Sequence, residues 1–286
     1  MKKKSSKIVI ILIFLAGLSL LLYPLVANQW NNHRQKQLIS NYESVVADKE
    51  AAGNIDYAAE MKKAEAYNDA LLPSILPDSF AVAEAQTEAD SSYENSLNIA
   101  GDGMMGIVEI PKIDIKLPIY HGTSEAVLQA GVGHFWGTSL PVGGESTHTV
   151  LTGHRGLPTK TLFTNMDKLE VGDIFYIKVL DETLAYQIDQ ILTVLPEETD
   201  GLSIESGKDY ATLVTCTPFA INTHRLLVRG ERIPYEEATK QEPDTNIKPE
   251  LSFTAKVLIV TIIVIFIGLL IAVIYSIRDR KRRKGR

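Results

Sequence analysis

Two charge-free apolar runs, one at each end of the chain, restrict this sequence more than any other feature. Ile8 to Ala27 and Val257 to Ile277 each have the length needed to cross a hydrocarbon layer as a helix rising about 1.5 Å per residue. Inside lipid a single such run satisfies its backbone groups only as a helix. Lys2, Lys3, Lys4 and Lys7 precede the first run; Arg278, Arg280, Lys281, Arg282, Arg283, Lys284 and Arg286 follow the second. Lys and Arg collect on the cytoplasmic side of spanning helices, so both termini are expected inside and the intervening domain outside the cell membrane. A cleaved signal peptide is the alternative for the first run, with Leu25-Val26-Ala27 a poor cleavage site because its first residue is large.

Setting aside those eleven basic residues and Asp279 from totals of 29 and 35 leaves 18 basic against 34 acidic residues between the ends, a net charge of −16. Such a surface repels nucleic acid, which needs a basic face. Cys216 is the one cysteine, so no intrachain disulfide supports the fold and the core must suffice. A lone thiol outside a membrane invites oxidation and calls for a reason.

Within these bounds the expected organisation is a basic N-terminus (1–7), an anchor (8–27), a helical extension (28–72), a long loop (73–100), a β domain (101–236), a polar linker (237–256), a second span (257–277) and a basic tail (278–286). In the extension Leu38, Tyr42, Val45 and Val46, then Tyr57, Met61, Ala64 and Tyr67, recur at three- and four-residue steps, predicting two helices separated at Gly53-Asn54. Their expected role is a stalk packed on the body. From Gly106 to Pro234 short β-type runs follow one another at 107–110, 117–120, 149–152, 174–177, 185–188, 211–215 and 226–229, punctuated by glycine and proline. This is a mainly β pattern, read as a closed or nearly closed barrel.

The chemistry candidates lie at the ends of three β-type runs. Cys216 ends the run Thr212-Leu213-Val214-Thr215, and a cysteine becomes a nucleophile when a base or cation favours its thiolate. Among six histidines, His154 stands out in Thr152-Gly153-His154-Arg155-Gly156, at a strand end between glycines; His224, beside Arg225, competes as the base. His134 and His148 lack a third ligand at recognisable zinc spacing, and His33 belongs to the stalk. Arg225 opens the next strand, where a guanidinium can donate to a developing oxyanion; a surface ion pair is the plain alternative.

Thr212-Leu213-Val214-Thr215-Cys216, Thr152-Gly153-His154 and Asn222-Thr223-His224-Arg225 followed by Leu226-Leu227-Val228-Arg229-Gly230 resemble a sortase. With Gly106-Ile107-Val108-Glu109-Ile110-Pro111-Lys112-Ile113, the second span and the long extension, the chain is similar to the pilus-building class C sortases. The resemblance implies a barrel of eight strands or so, flanked by two membrane helices, and a cysteine transpeptidase without cofactor or metal. Cys216 would attack a Leu-Pro-x-Thr-Gly-like sorting signal, His154 would carry the proton and Arg225 would steady the oxyanion. The partners would be pilin subunits bearing that signal and an acceptor lysine. It also implies a lid across the cleft, here Asp78-Ser79-Phe80, with serine where the family has proline; without the ring the lid backbone is less constrained in φ. A peptidoglycan-anchoring sortase and a non-enzymatic, doubly anchored surface protein are the competing readings.

Overall fold

A computed structural model describes residues 2–71, 91–241, 260–262 and 265. The second apolar run lies almost wholly outside the described residues, and so do Asp78 and Phe80. Five helices are present among them: α1 (Lys2–Ala51), α2 (Tyr57–Ala70), α3 (Ser91–Asn95), α4 (Glu125–Ala130) and α5 (Tyr235–Gln241). Eight strands complete the inventory: β1 (Met104–Ile110), β2 (Ile115–His121), β3 (Val132–His134), β4 (Thr147–Thr152), β5 (Ile174–Val179), β6 (Glu182–Val194), β7 (Asp209–Thr217) and β8 (His224–Ile233). The strands close into a barrel in the order β1-β2-β3-β4-β7-β8-β6-β5, the mainly β architecture expected from the sequence.

The first apolar run and the stalk are one continuous helix. Among the described residues α1 is the one helix long and apolar enough to cross a membrane, and it runs through Pro24 to Ala51. Its first stretch exposes Leu12, Ile13, Leu20 and Val26, as an apolar helix meant for lipid does. From Asn28 the chain belongs to a second compact unit that ends at Thr245. There Ile39, Tyr42 and Val46 bury one face of α1 on Met104, Ile107 and Tyr120. Met104 and Ile107 share that outer face although they are three residues apart, because the β1–β2 register shifts between Met104 and Gly106. Tyr42 also donates a 3.1 Å bond to the Met105 carbonyl.

Gly53 sits at φ +67 in the turn that separates α1 from α2, a conformation glycine adopts without cost. Asp56 caps α2, accepting a 3.0 Å bond from Ala59 N. Ala64 enters the barrel core, with Tyr57, Met61 and Tyr67 packed against it. Asn68 imitates a strand partner: its amide donates to Leu140 O and its Oδ1 accepts from Leu140 N.

Within the segment read as a loop, α3 is a fixed element. Tyr93 is buried, accepts from Gly122 N at 2.9 Å and lies 2.9 Å from His134 Nδ1. His134 is fully buried, and its Nε2 donates to Ser139 O at 2.8 Å; burial pushes its pKa down to about 4. His148 lies between Ser203 O and Thr212 Oγ1, and burial likewise lowers its pKa. Ser139 joins the two: its carbonyl takes the His134 bond and its hydroxyl accepts from His148 N at 3.0 Å, so both histidines belong to one hydrogen-bond network of the core.

Two parallel pairings set the positions that matter for the site. The β2–β3 pair requires a crossover, and α4 is that crossover. The β4–β7 pair, Thr147↔Asp209 to Thr152↔Val214, brings the end of β4 beside the end of β7, with β5 and β6 made in between.

Candidate active site

Cys216 and Arg225 occupy opposing positions across the antiparallel β7–β8 pair. Directly opposed residues project to the same face with Cβ atoms about 5 Å apart. Alternation tells which face: Ala211 and Leu213 on β7 and Leu226 and Val228 on β8 belong to the barrel core. Val214 and Leu227, of the other parity, pack outside it with Phe135, Val150 and Leu202. Cys216 and Arg225 share that outer parity, so they extend an apolar floor by one thiol and one guanidinium. Cys216 is half-buried. Arg225 Nη1 donates to Asn222 O at 3.4 Å and His224 O at 3.3 Å.

The segment carrying His154 is tied to the same strand. Gly153 N donates to Val214 O at 3.0 Å, and the buried Thr215 hydroxyl donates to Gly153 O at 2.7 Å. Both bonds lie within two residues of Cys216 and fix the chain immediately before the imidazole. Phe163 N then donates to His154 O at 3.1 Å. The structure therefore gathers Cys216, His154 and Arg225 at one end of β4, β7 and β8. His224 opposes Thr217 at the root of the hairpin, with its Nδ1 2.9 Å from Thr223 Oγ1.

Two neighbours of His154 escape sequence reasoning. Arg155 is the hub of the loop: Nη2 lies 2.8 Å from Asp167, Nη1 donates to Thr217 Oγ1 at 3.1 Å, and Nε donates to Thr164 O at 3.3 Å. Its side chain is only 6% exposed, so it acts as a brace rather than a solvated charge. Glu125, the first residue of α4, places Oε2 3.2 Å from His154 Nε2. The position of Arg155 inside the Thr-Gly-His-Arg-Gly stretch is a visible signal; nothing local marks Glu125, which topology alone brings near.

The cleft surroundings are apolar and partly open. Phe219 and Ile221, in the β7–β8 turn, are exposed, and Phe219 lies over Gly156 at φ +79, where a Cβ would stand 3.0 Å from its ring. Thr152 shares the outer parity of Val150 on β4; it is fully buried and among the described residues its hydroxyl has no hydrogen-bond partner. Among the described residues no group of three or more His, Cys, Asp or Glu side chains is arranged to hold a metal.

Comparison with known proteins agrees on one family. The sortase domain model matches residues 108–233. Sortase D of Bacillus subtilis is 33% identical over 131 residues, which are 45% of this chain and 63% of that protein. The crystal structure of Streptococcus pneumoniae sortase C, described in connection with catalysis and pilin substrate specificity, is 48% identical. It covers 70% of this chain and 97% of its own, at a TM-score of 0.62. Sortase C1 of Streptococcus agalactiae is 45% identical over 69% of this chain and 98% of its own, at a TM-score of 0.59.

Proposed function

Because the chain belongs to the sortase family, whose members are cysteine transpeptidases, we propose that it polymerises pilin subunits through a thioester held on Cys216. The observation that carries this reading is the opposition of Cys216 and Arg225 across β7 and β8, beside a loop bonded to the same strand ends. In the first step the Cys216 sulfur attacks the Thr carbonyl of a Leu-Pro-x-Thr-Gly-like sorting signal. The thiol proton passes to His154, the S–C bond forms, the Thr–Gly C–N bond breaks, and His154 gives that proton to the departing glycine amine. Arg225 donates to the oxygen that carries charge in the tetrahedral intermediate. In the second step a lysine amine of another pilin attacks the thioester: the amide C–N bond forms, the C–S bond breaks, and His154 takes the amine's proton and passes it to the departing sulfur, restoring the thiol. A thioester keeps the acyl group activated, so an amine positioned in the cleft outcompetes dilute water.

The pilin assignment is supported by the similarity to class C sortases of pneumococcus and group B streptococcus. We assign the catalytic domain to the outer face of the membrane with both termini cytoplasmic, from the basic flanks of the two apolar runs. Asp78 and Phe80 are assigned to a lid that controls access to Cys216.

The test is incubation of the detergent-solubilised full chain with purified pilins that carry the sorting signal. SDS-resistant ladders are expected, and none from Cys216→Ala. His154→Ala and Arg225→Ala should each slow ladder growth by about 100-fold or more. An active His154→Ala with an inactive His224→Ala overturns the assignment of the proton carrier. Acyl-enzyme that is resolved by a peptidoglycan amine but never by a pilin lysine replaces polymerisation with cell-wall anchoring.

A further inference from the structure

The imidazole of His154 has a charged neighbour that reaches it from another element. Glu125 Oε2 lies 3.2 Å from His154 Nε2, and the second carboxylate oxygen, Oε1, accepts a 2.7 Å bond from Gln129 Nε2 one turn along α4. The Gln129 backbone carbonyl accepts from Lys160 Nζ, on the loop that leaves His154. Helix and loop are thereby joined at both ends of the pair. Ser124 caps α4, its hydroxyl accepting from Val127 N at 3.4 Å, which fixes the turn on which Glu125 stands.

The Gln129 bond, and then the charge and hydrogen bond of His154, hold the Glu125 carboxyl below its usual pKa. An ionised carboxylate has no proton to donate, so in this contact the hydrogen belongs to His154 Nε2.

We propose that Glu125 is a positioning residue for the transfer reaction: it holds His154 in the Nε2–H tautomer and sets the plane of the ring. The inference rests on the reading of His154 as the proton carrier. Glu125 does not touch the reacting atoms; it acts through the imidazole, as a third group orients the base wherever a nucleophile and base work as a pair. Its side chain is 69% exposed, which bounds the effect: exposed ion pairs are worth at most about 1 kcal/mol, or about 5-fold in rate.

The experiment uses the full chain in detergent, with a quenched fluorescent Leu-Pro-x-Thr-Gly peptide as acyl donor and nitrogen-15 NMR of labelled histidine. Glu125→Ala is expected to lower kcat about 2- to 5-fold at unchanged KM and to turn the His154 signal from the Nε2–H tautomer into a mixture. Glu125→Gln keeps an acceptor without the charge, so it should retain the tautomer and lose less kcat. No change in kcat and tautomer, a fall in kcat with the tautomer intact, or a rise in KM alone overturns the proposal. His154→Ala separates the two readings. If it is inactive while Glu125→Ala is unaffected, only the positioning role fails; if it is active, the assignment of the proton carrier fails first.

Discussion

Gly153 has no side chain because Phe163 occupies the place one would take: a Cβ there would stand 2.6 Å from the ring. The backbone on both sides is pinned by Val214 O and the Thr215 hydroxyl, so an added methyl must move either the ring or the residue that follows, His154. Gly153→Ala is therefore expected to cost about 1 to 3 kcal/mol of stability and to reduce acyl-enzyme formation more than its melting temperature alone would explain; urea unfolding and peptide cleavage measure the two. His134 makes a different residue-scale prediction. Burial lowers its pKa to about 4 against an ordinary value near about 6.5. Between those values the unfolded chain binds more protons, so this contribution is complete above about pH 6.5 and disappears as pH falls to about 4. The shift corresponds to roughly 3 kcal/mol, and His148 acts in the same direction. Unfolding free energy should fall across that window, with a shallower slope in His134→Gln.

Packing of α1 on the barrel depends on a narrow stripe. Ile39, Tyr42 and Val46 are its buried residues, while Leu38 and Val45 are only half-buried, so the buried face is turned one residue from the spacing of Leu38, Tyr42, Val45 and Val46. Tyr42→Phe removes the bond to Met105 O and should cost about 1 kcal/mol. Ile39→Ala should cost about 2 kcal/mol or more, read as lower melting temperatures of the full chain. The long strands are legible in the sequence because their apolar residues alternate between core and cover, as Leu213 and Val214 do. Tyr57, Met61, Ala64 and Tyr67 likewise announce the buried face of α2. Strand β3 is not legible: Val132–His134 is three residues long, lies beside Gly131 and is held by neighbours rather than by propensity. The same limit applies at the site. Cys216 and Arg225 stand out by residue type and local spacing, whereas Glu125 reaches the site through the β2–β3 crossover, and Thr164 and Asp167, which hold Arg155, through the loop after β4. Nor does the pattern show that the membrane run and the stalk share one unbroken helix.

For the whole molecule, access to the thiol is the quantity to measure. Asp78 and Phe80 lie outside the described residues, but the nearby chain is firmly attached: α3 is held by Tyr93 within the barrel network, and α2 by Asn68 on Leu140. Deleting residues 76–82 should therefore speed thiol-reagent labelling of Cys216 several-fold while leaving the melting temperature nearly unchanged; equal labelling rates would exclude control of access by that segment. The barrel itself separates its chemistry along the chain. The β7–β8 hairpin encodes Cys216 and Arg225 together, whereas His154 and Glu125 are contributed by segments before β5. A break in the β5–β6 turn would thus divide the gene into two silent halves. Since the barrel closes only where the halves meet, at the β4–β7 and β5–β6 seams, peptide cleavage would return only when both halves come together, making this enzyme a two-input reporter of encounters.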